Sequence, residues 1–378
     1  MKKTRVALWA ASCLVLSAQT AQAQSSVTLY GIVDAGITFT NNSAGHSLWQ
    51  AQSSIAQGSR WGLKGAEDLG GGTRAVFQVE DGFNVFTGKI SQGGSEFGRQ
   101  AYVGLSNFSF GTVTLGRQYD PLVDVIQPTA FNSFGALFSH PSDIDNTNNG
   151  FRVNNAAKYV SPAWHGLTLE AMYAFGGVAG SFGQNSTISG GLSYASDGLY
   201  LGAAYFFAKN PSSQFVDGNF QPNGKPGVSN GVGAFGYVGS PSNMQTFALG
   251  GTYVIGQGRI GADVTDVRFQ NASGVRGNTV SFANYEVWGQ YHLTEAFSVQ
   301  GGYTFTMGKV DFNDARPKYN QLNLMVDYNL SKRTDVYAMS VFQRASGGAK
   351  ADIYQGVAGQ ESSTHVQTLA RVGLRHRF

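Results

Sequence analysis

The sequence predicts an all-β protein, a transmembrane antiparallel β-barrel of about sixteen strands. Three observations predict it. The chain closes on HVQTLARVGLRHRF, where Phe378, His376, Leu374, Val372, Ala370, Thr368 and Val366 form a mostly apolar row. The other parity, Arg377, Arg375, Gly373, Arg371, Leu369 and Gln367, is mostly cationic or polar, the period-2 pattern of a strand between two environments. Charged residues make up only 13% of the chain, about half of the roughly 25% usual in soluble domains. The N-terminus reads as an export signal, and after it no apolar run approaches the ~18 residues of a membrane helix. An exported chain of this composition enters a membrane as a closed barrel, since alternating strands satisfy the backbone without long apolar runs.

The export signal comes first. Lys2, Lys3 and Arg5 precede an apolar stretch from Val6 to Ala18, and Ala21-Gln22-Ala23 supplies a small-residue cleavage site. Residues 1–23 are therefore expected to be removed, leaving one domain, 24–378. The single cysteine, Cys13, lies within the apolar stretch with more apolar chain after it, which argues against a lipid anchor there. The rest is expected to have no disulfide and no thiol-ligated metal. Losing Lys2, Lys3 and Arg5 takes the 26 basic residues to 23 against 23 acidic ones. The apparent basic excess thus argues for no nucleic-acid partner.

Turn signals then divide the chain into strands near 26–41, 59–69, 72–84, 98–107, 111–120, 152–162, 167–176, 187–197, 199–209, 244–256, 258–271, 284–294, 296–309, 318–331, 334–346 and 365–378. Alternation is clear in several. Leu167, Leu169, Ala171, Tyr173 and Phe175 oppose Thr168, Glu170, Met172 and Ala174, and Leu322, Leu324, Val326, Tyr328 and Leu330 oppose Gln321, Asn323, Met325, Asp327 and Asn329. Aromatic residues near the ends of the apolar rows match the girdles of a membrane barrel. Connections alternate short, as at Gly70-Gly71 and Asp197-Gly198, and long, as at 121–151, 210–243, 271–283 and 347–363. The segment around Val336 to Phe342 does not alternate cleanly. An even count puts both ends of the chain on the periplasmic side.

Parity and order of motifs together carry a resemblance. Val27-Thr28-Leu29-Tyr30-Gly31-Ile32-Val33-Asp34, Ser59-Arg60-Trp61-Gly62-Leu63-Lys64-Gly65, Arg99-Gln100-Ala101-Tyr102-Val103-Gly104-Leu105, Leu115-Gly116-Arg117-Gln118-Tyr119 and the final Phe378 follow one another as in the general porins of Gram-negative bacteria, in their beta-proteobacterial branch, which the whole mature chain resembles. The resemblance implies an outer-membrane homotrimer for passive diffusion of small hydrophilic solutes and ions, with no cofactor. It also implies a third long loop folded into the lumen, and a C-terminal Phe, here Phe378, read by the barrel-assembly machinery.

By motif position the resemblance makes Arg60, Arg99 and Arg152 a basic ladder at the constriction. Parity adds Lys64 beside Arg60 and Lys158 beside Arg152. Trp61 and Leu63 read as lipid-facing, which turns Arg60 and Lys64 inward. Tyr102 reads as outward, which turns Arg99 inward, and Asp34 is opposite Leu29 and Val33. Many relatives carry Pro-Glu-Phe-Gly on the inward loop. Here the stretch is Asn132-Ser133-Phe134-Gly135, with Ser133 at the Glu position. The nearby acids Asp120, Asp124, Asp143 and Asp145 are the candidates to face the ladder. A cationic ladder with a depleted acidic wall predicts weak anion preference. Arg117 shares parity with Val113 and Leu115. A bare charge facing lipid costs about 2–4 kcal/mol at mid-depth, so the expectation is burial between protomers.

Other chemistry finds little support. Gly256-Gln257-Gly258-Arg259-Ile260-Gly261 fits a dinucleotide-loop spacing, but a strand pattern follows where a helix is required, so a hairpin turn is the reading. The histidines at 46, 140, 165, 292, 365 and 376 show no metal-ligand spacing, and no G-x-S-x-G occurs. Neither a metal nor an enzyme is expected. Trp288 and Tyr30 have inward parity without forming a stacking track. The alternatives are a solute-selective channel and a plugged barrel serving as adhesin or structural anchor.

Overall fold

The computed structural model describes residues 26–217, 233–353 and 361–378. The expected signal segment, 1–23, lies outside the described residues. Strands run in chain order as β1 (Ser26–Ser43), β2 (His46–Ser53), β3 (Arg60–Gly70), β4 (Thr73–Gly82), β5 (Gln100–Asn107), β6 (Gly111–Gln118), β7 (Val153–Val160), β8 (Leu167–Ala174), β9 (Thr187–Ser196), β10 (Leu199–Lys209), β11 (Asn243–Ile255), β12 (Gly258–Gln270), β13 (Thr279–His292), β14 (Phe297–Val310), β15 (Lys318–Asn329), β16 (Thr334–Ser346) and β17 (Val366–Arg377). Successive strands pair antiparallel and β17 returns to β1, so the sheet closes into a barrel.

Seventeen described strands fill sixteen wall positions. β1 pairs with β17 on one edge; on the other it pairs with β2 through Ala35–Ser43 and with β3 through Ser26–Ile32. β2 and β3 are thus two halves of one wall position, interrupted at 54–59. Asp34 explains the break: Oδ1 accepts from Ile55 N at 3.0 Å and Ala56 N at 3.4 Å, taking backbone donors that a ladder would otherwise use. The sequence reading missed β2 and began β13 five residues late.

The outer surface is apolar. Val103, Leu105, Leu115, Leu249, Val287 and Val372 are all more than half exposed, the condition of a wall whose solvent is lipid. The inner face carries the charge. Arg371 is fully enclosed and donates to Asp34, Thr38, Tyr337 and the Gln52 carbonyl. Arg375 reaches Asp327 at 3.2 Å and Asp335 at 3.0 Å, and Arg377 reaches Asp335. The cationic row of the last strand is therefore neutralised, by Asp34 across the closing seam and by Asp327 and Asp335 on the two preceding strands. Phe378 completes that seam: its N–H donates to Gly31 O and its carbonyl accepts from Gly31 N. A Cβ on residue 31 would lie 2.3 Å from the Phe378 ring, so glycine there admits the aromatic cover.

Candidate functional site

The segment between β6 and β7, residues 119–152, folds into the barrel and lies on its inner wall. It starts with a short helix, α1 (Pro121–Ile126), for a local reason. Asp120 caps it, accepting from Leu122 N and Val123 N, and Pro121 supplies a preset φ at the first helical position. Apolar side chains fasten the loop to the wall. Phe131 and Phe134 pack on Trp288, whose Nε1 donates to Thr129 O at 2.6 Å. Tyr200 donates to Val125 O, Arg259 to Pro128 O and Gln321 to Ser139 O. The wall is cut back to receive it, since a Cβ at Gly250 would sit 2.0 Å from Thr129 Oγ1.

Beside the loop a polar cavity of about 600 Å³ remains, lined by Arg60, Arg99, Arg152, Glu80, Tyr119, Ser133 and other residues from both wall and loop. The three arginines of the ladder thus share one space. Arg99 Nε donates to Glu80 Oε1 at 2.7 Å, and Arg60 Nε lies 3.5 Å from Glu80 Oε2. Tyr119 sits between Arg99 and Arg152, its ring centre 5.8 and 5.7 Å from their guanidinium carbons. Its hydroxyl accepts from Arg99 and donates to Glu80. Arg152 Nε is buried with no hydrogen-bond partner among the described residues.

The candidate loop acids do not line this cavity. Asp120 is engaged as a cap and accepts from Asn146. Burial, with Asp124 close by, pushes its carboxyl up to about 7. Asp124 pairs with Lys158, which also reaches Glu170 at 3.4 Å, so Lys158 leaves the ladder for a buried ion cluster. Asp143 accepts from Asn148 N and Gly150 N within the loop, where burial, with Asp145 nearby, raises it to about 8. Asp145 is equally enclosed. Burial alone would raise it, but the facing His140 and bonds from His140, Thr265 and Thr147 hold it below the ordinary range. Ser133 does line the cavity. Lys64 is inward but apart, over the Tyr30 ring at 5.3 Å.

One orientation differs from the parity reading. Tyr102 faces inward, because β5 pairs it with Gln78, to which its hydroxyl donates. Arg99 is inward for a different reason: it precedes β5 and turns to Glu80. Arg117 lies where β6 and β7 slip register between Gly116 and Gln118. Its side chain is 12% exposed, and its guanidinium bonds Gly98 O, Asn154 Oδ1 and Asp217 of its own chain.

Glu80 and Tyr119 were not among the sequence candidates. The signal for Glu80 exists: Ala75, Phe77 and Val79 alternate with Gln78 and Glu80 in β4. Counting charges around the cavity, three guanidinium groups face one carboxylate, and Asp217 at the rim is matched by Arg117. The net is +2.

Comparison with known proteins follows the same lines. A family model described as Gram-negative porin matches residues 10–348. An outer membrane porin protein of Bordetella pertussis is 31% identical over the whole of both chains. Outer membrane porin protein 32 of Delftia acidovorans is 29% identical, again over the whole of both. Among solved structures, an anion-selective porin from Comamonas acidovorans superposes with a TM-score of 0.73 at 24% identity, covering 94% of this chain and 100% of that one. The trimer form of OmpT from Vibrio cholerae gives 0.69 at 15% identity over 94% and 99%.

Proposed function

This chain belongs to the Gram-negative porin family, and on that premise we propose that its arginine slot gives passive diffusion a weak bias toward anions. The protein is an outer-membrane porin, a water-filled barrel through which small hydrophilic solutes diffuse. The observation that carries the bias is the charge imbalance of the cavity: Arg60, Arg99 and Arg152 against Glu80. Rings of cationic side chains lower the energy of a passing anion and raise that of a cation. The loop contributes Ser133 where an acid would oppose the ladder, and its aspartates are spent on folding the loop. The solved porin from Comamonas is itself described as anion-selective, which supports the same reading here.

The three arginines, Glu80 and the loop face are the constriction in this reading, and the slot has no enzymatic role. Fixed charges facing polar loop groups hold ordered water, so a polar solute exchanges one set of hydrogen bonds for another while an apolar one loses them. Three copies assemble in the membrane, as the trimer form of OmpT does. Residues 1–23 direct export, and the last strand with Phe378 is the segment offered to the assembly machinery.

Planar-bilayer recording of the refolded mature chain tests this. Large conductance appearing in steps of three, with a zero-current potential toward anions in a salt gradient, is the expected record. Correctly folded, heat-modifiable protein that passes no current would refute it.

A further inference from the structure

The pinning of the loop contains a second cluster whose chemistry the channel does not use. His140 of the loop is 1% exposed. Its Nε2 lies 3.5 Å from Asp263 Oδ1 on β12 and 3.9 Å from Glu286 Oε2 on β13. The three ligand atoms fall within 4.8 Å of one another. Neither Asp263 oxygen nor His140 Nε2 finds a hydrogen-bond partner among the described residues, although all are buried. On its far side His140 Nδ1 donates to Asp145 Oδ2 at 2.6 Å, and Asp145 also accepts from Thr265, Asn284 and Thr147.

We propose that His140, Asp263 and Glu286 form a divalent transition-metal site that staples the inward loop to the barrel wall. The spacing fits. Metal–ligand bonds of about 2.0–2.2 Å place tetrahedral ligand atoms roughly 3.3–3.6 Å apart; the His140–Asp263 separation of 3.5 Å already fits, and the His140–Glu286 separation of 3.9 Å needs a small closure onto the ion. A carboxylate behind a ligating imidazole is the usual outer support, fixing the tautomer so that Nε2 presents its lone pair to the metal. Charge argues the same way. Three carboxylates meet one imidazole, and a dication with neutral His140 leaves a net charge of −1 where a proton on His140 leaves −2. An imidazole nitrogen with two carboxylate oxygens suits zinc better than calcium or magnesium, which prefer all-oxygen shells. The second Asp263 oxygen or a water fills the fourth position. No histidine spacing in the sequence announces the site because its ligands come from three elements.

The test is direct and needs no conductance. The full mature chain is refolded in ZnCl2, passed into metal-free buffer, and its zinc content measured by mass spectrometry. The expected result is about one zinc per chain, with His140→Gln and Asp263→Asn each retaining under about a fifth of that. Heat-modifiable mobility in detergent checks that each variant has folded, and two variants guard against one failing to do so. The midpoint of heat dissociation should also rise with zinc in the wild type and not in H140Q. A wild type that holds no zinc, or variants that hold as much as the wild type, would overturn the proposal.

Discussion

Glu80→Gln is the most informative change in the slot, because it leaves every arginine in place and removes the carboxylate that Arg60 and Arg99 share. The magnitude follows from the cavity. A sphere of the cavity's volume of about 600 Å³ has a radius of roughly 5 Å, so a unit charge on the wall acts on a central ion with about 0.8 kcal/mol at the dielectric of water. Screening over a Debye length of about 10 Å at 0.1 M salt reduces this to about 0.5 kcal/mol. Anion and cation move in opposite directions, so the selectivity shift is about 1 kcal/mol, or about fivefold in the permeability ratio. E80Q raises the net charge from +2 to +3 and is expected to increase anion preference about fivefold. Arg152→Ala lowers it to +1 and should reduce the preference by a similar factor. The assay is the zero-current potential across a bilayer with a tenfold salt gradient, at low total salt where screening is weak. If both variants stayed within twofold of the wild type, the charges around the cavity would not control the ion path and the reasoning would fail.

Other expectations concern the loop and the seam. Trp288→Ala removes the packing against Phe131 and Phe134 and the bond to Thr129 O, a loss of about 3–5 kcal/mol in loop docking; open-channel current noise should increase. Gly250→Val pushes a side chain against Thr129 at about 1–3 kcal/mol, and single-channel conductance should change while the barrel still migrates as a folded species in detergent. Arg371→Ala leaves Asp34 buried without its cation, about 3–5 kcal/mol, so the midpoint of heat unfolding in detergent should drop well below that of a conservative surface variant such as Lys332→Ala.

The strands were legible in the sequence wherever one face meets lipid and the other meets water. The reading weakened where the inner face meets protein. In β16, Tyr337, Met339 and Val341 point inward but pack with the loop residues Phe131, Leu137 and Phe138, so both parities look apolar. The start of β13 fails for the same reason, with Val280 and Phe282 buried in the loop-filled side of the lumen. β2 has Trp49 facing out beside Ala51 and Ser53, too little contrast for a period to show. Motif position singled out the three arginines that share the cavity. The disposition of the acids was not legible, because Asp120, Asp143 and Asp145 are committed to backbone and side-chain donors that exist only once the loop has folded. Glu80 was legible from parity alone, since it shares a face with Gln78 in β4. The carboxylate beside Arg60 and Arg99 comes from the wall, at Glu80, while the loop carries Ser133.

The excess positive charge of a water-filled slot is read most directly from the zero-current potential of the wild-type protein in a potassium chloride gradient. The expected potential lies on the chloride side, modest in size and shrinking as total salt rises. A potential on the potassium side at low salt would contradict it.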